Sequence, residues 1–329
     1  MEIVLITFEE AMASIPAGVA PSILLANGFS RAWRNDIFDY ANILAAADFL
    51  AREREIRDLF ERFKTYDFEV VMRALIAAKT VLEAYGGNEP LIEEIEKDRE
   101  ILKESLISAI SITHPDRPSS VSTAQFTAAR SFLSRFEQIF SVNYDLLLYW
   151  ARNMNDLPPE NYRTNDGFWI KGIWLNQDDD QKVHFLHGGL HIFDTGASIK
   201  KHSFSESGTG IVDLVRDNLE EGRFPLFVSE PDATSKLERI SHNPYLNHCF
   251  RALGKANGIF FVHGHSFDEN DKHIFDQLKK SGVVKFFVSI FGDENTEENT
   301  RVKANARAFL ESDSSEVEFY IAESSPIWA

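Results

Sequence analysis

Four short apolar runs in this chain each end in a turn of glycine, asparagine or histidine, and this repeated pattern constrains the fold most. The runs with their turns are residues 23–28, 139–145, 183–188 and 260–264. An apolar strand that ends in polar side chains before a helix is typical of a parallel α/β sheet, in which ligands bind at the carboxyl ends of the strands. We therefore expect the four runs to be neighbouring strands whose turns surround one cleft.

Composition narrows the class of protein. The chain has 329 residues with 44% hydrophobic residues and 27 phenylalanines, enough to bury a large core. Its net charge of −17 argues against nucleic-acid binding, which needs a basic surface to meet phosphates. The single cysteine, Cys249, excludes an internal disulfide and a cysteine-rich zinc site. With no signal peptide and no apolar run of membrane-spanning length in the sequence, we expect a soluble, cytoplasmic protein without a membrane segment.

Strands alternate with helices along most of the chain, which predicts a parallel sheet with crossover helices. The predicted strands are residues 23–26, 140–143, 183–186, 226–229, 259–263, 284–290 and 317–322, and residues 169–174 fit an irregular hairpin or a lid. The predicted helices include a capped helix after Thr7 and residues 36–63, 65–84, 90–112, 123–137, 211–220, 244–253, 268–280 and 299–312. We expect a Rossmann-like α/β domain of residues 1–35 and 138–329, with a large helical insert, residues 36–137, after the first strand.

The turn after the first strand contains Asn27, Gly28, Phe29 and Ser30. Backbone N–H groups at the start of a helix bind pyrophosphate, and glycine adopts a positive φ without strain. The dinucleotide-binding fingerprint has a glycine where Ala26 stands, so an ordinary turn fits this segment about as well.

The second and third runs end in side chains that can take part in chemistry. Asn143 and Asp145 are interpreted as residues that orient a ribose hydroxyl or a water. The alternative is that Asp145 caps the helix beginning at Leu146 and that Asn143 bonds a neighbouring loop. His187, which precedes two glycines, fits a base presented at a strand end, because a neutral imidazole accepts a proton at physiological pH. A hydrogen-bonded core histidine is the alternative.

The histidines leave a metal-dependent hydrolase open as a third interpretation, in which the ligands would be His184, His187, His191 and His263. We expect no stoichiometric zinc, because Cys249 stands alone and the histidines lack a carboxylate partner at metal-ligand spacing. The last turn, with Gly264, His265 and Ser266, suits ligand binding through backbone groups instead. The acidic run that follows, at 268–271, is interpreted as a helix-start preference and not as a cation site.

Taken in chain order, the four turns resemble those of the sirtuin superfamily. The matching motifs are Ala-Asn-Gly-Phe-Ser at 26–30, Ser-Val-Asn-Tyr-Asp at 141–145, Leu-His-Gly at 186–188 and Gly-His-Ser at 264–266. The chain looks most like bacterial sirtuin-like NAD-consuming proteins of anti-phage defence, including a family of this length known as a domain of unknown function. The resemblance implies that NAD is held by Ala26, Asn27, Gly28, Phe29, Ser30, Asp145, Gly264, His265 and Ser266, and that Asn143 and His187 are catalytic.

Departures from the sirtuin pattern indicate which activity to expect. Ala26 replaces a glycine, the four-cysteine zinc ribbon of the deacylases is absent, and residues 31–35 lack their peptide-site segment. The resemblance therefore implies a NAD+ glycohydrolase that releases nicotinamide and ADP-ribose, not a protein deacylase. It also implies restraint of the resting protein, by homo-oligomerisation or by a partner such as an ATPase or an Argonaute-like protein. The alternative function is a sensor that holds NAD or ADP-ribose without turnover.

Overall fold

A parallel sheet of six strands forms the centre of the molecule in the computed structural model, which describes residues 5–175, 180–203, 210–221 and 223–329. The sheet strands are β1 (Ser22–Leu25), β2 (Ile139–Ser141), β3 (Val183–Phe185), β6 (Asn257–His263), β7 (Gly282–Ile290) and β8 (Glu316–Ile321), while β4 (Ile192–Asp194) and β5 (Ile199–Lys201) form a separate antiparallel hairpin. The sheet order is β3-β2-β1-β6-β7-β8. Numbered within the sheet, this is the Rossmann order 3-2-1-4-5-6, so the predicted α/β, Rossmann-like fold class is confirmed.

The four apolar runs of the sequence analysis occupy the neighbouring strands β3, β2, β1 and β6, as predicted. Ile23 pairs with Ile139 on one side and with Phe261 on the other, and Ser141 pairs with Phe185. Every residue of β1 and β2 is buried, as expected for parallel strands covered on both faces. Burial of a large apolar side chain contributes about 1.5–3 kcal/mol, which opposes any slip in register.

The direction in which strands are added to the sheet reverses at β1. Strands β2 and β3 lie on one side of β1, and β6, β7 and β8 lie on the other. β1 pairs with β2 on one edge and with β6 on the other. The crevice at the carboxyl ends of β1 and β6 is therefore the switch point at which Rossmann-like sheets bind ligands.

Helices cover both faces of the sheet and supply all the regular structure described between β1 and β2. They are α1 (Phe8–Ala13), α2 (Asn27–Trp33), α3 (Asn35–Phe38), α4 (Tyr40–Ala46), α5 (Glu53–Phe63), α6 (Phe68–Ala84), α7 (Glu89–Thr113), α8 (Thr123–Leu133), α9 (Leu147–Asn153), α10 (Ile211–Glu220), α11 (Ala233–His242), α12 (Pro244–Leu253), α13 (Lys272–Lys279) and α14 (Glu297–Leu310). The predicted capping box of Thr7 and Glu10 opens α1. Within the described ranges, no helix is both long enough and apolar enough to cross a membrane.

Three sequence-based assignments differ from the structure. Residues 36–63 are not one helical stretch, because Asp39 and Ala47 have extended backbones that separate α3, α4 and the segment containing α5. Residues 226–229 do not form a sheet strand, since Phe227 makes only one antiparallel bridge, to Gly188 in the loop after β3. Helix α11 was not predicted, although the Asp232 side chain caps it at the Ser235 N–H over 2.9 Å.

The segment at 169–174 is the irregular hairpin that the sequence suggested. Phe168 and Trp174 form an antiparallel bridge, and the Trp169 N–H donates to the Ile173 carbonyl over 3.0 Å. Trp174 is buried against Tyr245, with ring centroids 5.5 Å apart, whereas Trp169 stays more than half exposed.

Candidate active site

The loops that follow β1 and β6 touch each other at the switch point. The Ala26 N–H donates to the His263 carbonyl and the Gly28 N–H donates to the Gly264 carbonyl, each over 3.0 Å. A Cβ on Gly28 would lie only 2.4 Å from Gly264 Cα, so no larger residue fits without moving the backbone. The sequence analysis expected Gly28 to supply a positive φ in a pyrophosphate-binding turn, but its φ is not positive. Glycine is needed here because its missing side chain admits the β6 loop.

The turn assigned to NAD phosphates is closed in this arrangement. The N–H groups of Ala26, Gly28 and Phe29 all donate to protein carbonyls. The Phe29 ring is buried against Trp328, and the Asn27 side chain donates to the Phe38 carbonyl over 3.2 Å. Phosphate binding by these N–H groups therefore requires the two loops to separate.

The alanine that departs from the family's glycine adopts an ordinary conformation. Ala26 has φ −124° and ψ −168°, an extended backbone open to any residue. The difference from the sirtuin pattern at this residue therefore introduces no backbone strain.

Asn143 and Asp145 are tied to the first turn through Ser30. The Asn143 amide donates to the Ala26 carbonyl and to Ser30 Oγ, each over 3.0 Å. Ser30 Oγ in turn donates to Asp145 Oδ2 over 2.5 Å, and Asp145 Oδ1 accepts from the Leu147 N–H at the start of α9. Burial raises the pKa of Asp145 above its ordinary value. The Asp145 carboxylate therefore bonds the backbone where α9 begins, although Leu146 and not Asp145 is the N-cap residue. Asn143 holds the β1 and β2 loops together.

His187 lies in a buried cluster of ionisable side chains beneath these loops. It is 3% exposed, and its Nε2 is 3.8 Å from Asp271 Oδ1 and 3.5 Å from His273 Nε2. Burial lowers the pKa of His187 well below its usual range, although Asp271 opposes this shift. The imidazole is thus neutral at physiological pH, the form in which it accepts a proton.

The same carboxylate is oriented by the loop after β6. His265 Nδ1 accepts from the Phe267 N–H over 2.8 Å, so in the neutral ring the proton is on Nε2. Nε2 lies 3.2 Å from Asp271 Oδ2 and donates to it. His265, which the sequence analysis placed at the cofactor, therefore contacts Asp271, while its neighbour Ser266 is exposed at the surface.

A lysine and a glutamate complete the cluster. Lys236 Nζ, only 1% exposed, lies 2.8 Å from Asp271 Oδ1 and 2.9 Å from Glu69 Oε2, and Asn270 Nδ2 also donates to Glu69. Burial opposes ionisation of Asp271, but Lys236 and the two nearest histidines hold its pKa well below the usual range. Burial raises the pKa of Glu69. Asp271 is therefore the carboxylate that stays ionised beside His187.

Four members of this cluster escaped the sequence analysis: Glu69, Lys236, Asp271 and His273. Glu69 lies in the helical insert, and Lys236 lies in α11, which was not predicted. Asp271 belongs to an acidic run that was interpreted as a helix-start preference. A lysine on the apolar face of a helix, next to Ile240, was the one available signal.

The histidines do not assemble as the metal-hydrolase interpretation required. His184 contacts Gln138 and Gln181, His263 contacts the Tyr320 hydroxyl, and the His191 ring packs between Tyr149 and Phe185. The argument that the histidines lack a carboxylate partner is also wrong, because Asp271 lies beside His187 and His265. The expectation of no stoichiometric zinc therefore loses the argument on which it rested.

A separate cavity of about 170 Å³ lies at the opposite edge of the sheet. It is lined at the amino ends of the strands by residues that include Ser22, Gln138, Gln181 and Asn257. His184 is the only residue of the predicted histidine set that reaches this cavity, and none of the residues assigned to NAD lines it.

Fold and site together define a Rossmann-like α/β protein with a buried histidine–carboxylate–lysine cluster at the carboxyl edge of its sheet. The chain belongs to the family described as Domain of unknown function (DUF4917), whose model matches residues 23–328. The match runs from β1 through the helical insert to the C-terminal segment. No curated protein matches the chain. Since the family description names no activity, the resemblance to sirtuins stays a prediction.

Proposed function

We propose that this protein is a NAD+ glycohydrolase that cleaves the nicotinamide–ribose bond to give nicotinamide and ADP-ribose. The observation that carries the proposal is the position of His187, a neutral imidazole facing the ionised Asp271 at the carboxyl edge of a Rossmann-like sheet. Rossmann-like sheets bind nucleotides at this edge, and hydrolysis of a glycosidic bond needs a base and an anionic environment for the cationic sugar.

In the proposed reaction, the C1′–N bond breaks and the nicotinamide leaves with the bonding electron pair, which creates an oxocarbenium-like centre. Water attacks C1′, and His187 takes its proton. Asp271 stabilises the imidazolium ion that forms, because their nearest atoms are 3.8 Å apart. Asn143 orients the ribose from the end of β2. NAD+ and water thus yield nicotinamide, ADP-ribose and one proton.

The proposal includes a restrained resting state. His187 is 3% exposed, and the N–H groups of Ala26 and Gly28 in the first turn donate to carbonyls of the β6 loop. Such restraint fits a cytoplasmic effector of anti-phage defence that is activated by homo-oligomerisation or by a partner ATPase or Argonaute-like protein, as the sirtuin resemblance implies. Zinc-ribbon deacylase chemistry has no part in the proposal.

The alternative is a sensor that binds NAD or ADP-ribose without turnover. One observation favours it: the Asn143 amide nitrogen donates to Ala26 and Ser30, so Asn143 must give up these bonds before its amide nitrogen can orient the ribose for cleavage.

The test compares two variants that each remove one buried imidazole near the same strand. His187→Ala should abolish nicotinamide release, measured chromatographically, while NAD affinity measured by calorimetry changes little, because a proton acceptor acts on the barrier. His184→Ala, the control, removes a ring at the opposite edge of the sheet and should keep turnover if it folds.

Because the proposal includes a restrained resting state, the assay is run over a range of protein concentrations and with the candidate partners. A wild-type protein that binds NAD but releases no nicotinamide under any of these conditions would establish the sensor. Full turnover in His187→Ala would exclude His187 as the base.

A further inference from the structure

We propose that His187, His273 and Asp271 form a binding site for a divalent transition-metal ion of the zinc class, and that the ion blocks His187. Each of these residues presents one ligand atom, and the three atoms lie within 4.8 Å of one another. Imidazole nitrogen and carboxylate oxygen are ordinary zinc ligands, and three protein ligands with an open fourth position are typical of accessible zinc sites.

The distances suit a single ion. Zinc binds nitrogen and oxygen ligands at about 2.0–2.2 Å, so two ligands of a tetrahedral site are about 3.3–3.5 Å apart. His187 Nε2 and His273 Nε2 are 3.5 Å apart, and His187 Nε2 and Asp271 Oδ1 are 3.8 Å apart. The two ring nitrogens are within hydrogen-bonding distance of each other, and an ion shared between them would replace that contact after small side-chain movements.

The surrounding charge also favours a cation. The cluster buries two carboxyl groups, Glu69 and Asp271, around the ammonium group of Lys236. With both carboxyl groups ionised the cluster carries excess negative charge, which a dication at Asp271 would offset. Lys236 is closest to the site and opposes the ion, yet it also contacts both oxygens of Glu69, which can retain it.

The carboxylate ligand is already oriented from outside the site. His265 donates to Asp271 Oδ2, the oxygen that faces away from the His187 contact. A partner of this kind fixes the geometry of a metal-bound carboxylate, and removing it costs about 10–100-fold in metal affinity.

The consequence for activity rests on the proposed function. A metal ion on His187 Nε2 occupies the lone pair that would accept the proton. Zinc should therefore inhibit nicotinamide release, and its removal by a chelator should restore it.

The experiment titrates the chelator-treated full-length protein with Zn²⁺ against a fluorescent zinc chelator, and with Co²⁺ while visible absorption is recorded. The wild type should bind one ion, with the intense absorption of tetrahedral cobalt. His273→Ala should lose this absorption and weaken zinc binding by more than the about 10–100-fold expected for His265→Ala. His242→Ala, at an exposed histidine on α11, is the control and should bind like the wild type.

Because His273 contacts His187, the turnover of His273→Ala is first measured without zinc, and the turnover that remains should resist zinc inhibition. Unchanged zinc affinity in His273→Ala would overturn the site, and turnover that rises with zinc would overturn the inhibitory role. Zinc binding by a protein that never cleaves NAD would instead contradict the proposed function and leave the site standing. Turnover of NAD without zinc binding would overturn the metal site and leave the proposed function standing.

Discussion

Gly264→Ala tests the close approach of the two loops at the switch point. Gly264 and Gly292 both have a φ of 74°. An alanine at either residue therefore costs about 1–2 kcal/mol in left-handed backbone strain. A Cβ on Gly292 would meet nothing within 4 Å, whereas a Cβ on Gly264 would lie 2.4 Å from Gly28 Cα and 2.6 Å from Gly28 N. Gly264→Ala and Gly292→Ala therefore share the backbone strain, and only Gly264→Ala also creates a close contact with Gly28.

The size of that difference follows from what must move. Ordinary van der Waals contact begins near 3.4 Å, whereas the new Cβ would lie 2.4 Å from Gly28 Cα. The two loops must therefore separate by about 1 Å. Overpacking of this kind costs about 1–3 kcal/mol, and the hydrogen bond from Gly28 to Gly264 that is stretched is worth about 1 kcal/mol. We expect Gly264→Ala to be about 2–4 kcal/mol less stable than Gly292→Ala.

Equilibrium urea unfolding followed by circular dichroism measures this difference, provided that the denaturant dependence is the same in both variants. Gly28→Ala gives a second measurement, because Gly28 has no positive φ and the substitution adds only the contact. Equal unfolding midpoints for Gly264→Ala and Gly292→Ala would refute the contact, and with it the claim that Gly28 is needed for packing.

Two further predictions concern buried ionisable groups. Lys236→Met should lower the free energy of unfolding by about 3–5 kcal/mol, because its two carboxylate partners lose their cation. The control Lys272→Met removes an exposed ion pair and should cost less than about 1 kcal/mol. Equal losses of stability in thermal melts of the two variants would contradict the buried ion pairs. Burial lowers the pKa of His184 to about 3 and of His263 to about 4. A histidine in the unfolded chain has a pKa of about 6.5, so below that pH the unfolded chain binds more protons than the folded protein. The free energy of unfolding should therefore fall as the pH drops from about 6.5 to about 4. Urea titrations at several pH values measure the slope, and a flat profile in this window would contradict burial of the neutral rings.

Strands were the most predictable part of the fold, because parallel strands covered on both faces are continuous apolar runs in the sequence. Residues 284–290, for example, lie within β7. Residues 226–229 have the same apolar character but lie beside the loop after β3, where only Phe227 finds a pairing partner. The local sequence cannot distinguish residues 226–229 from a sheet strand, because pairing depends on whether the folded chain brings the segment beside a strand of the sheet.

The candidate site was predictable only as far as the strand ends. The edge that carries Asn143 and His187 follows from strand direction alone. Glu69 and Lys236, which meet over 2.9 Å, are 167 residues apart in the chain, and only the packing of α6 against α11 brings them together. Among the acidic residues at 268–271, nothing in the sequence distinguishes the one that is buried.

The helical insert is therefore part of the site and not only an addition to the sheet. Its helix α6 carries Glu69, which holds Lys236, and Lys236 holds Asp271 beside His187. Arg73, one turn further along α6, donates twice to the Pro231 carbonyl just before α11, over 3.1 and 2.9 Å. Because His187 and Lys236 are both almost fully buried, a ligand that reaches His187 must displace groups packed around this cluster. One of those groups, Glu69, belongs to the insert, so the insert takes part in controlling access to His187.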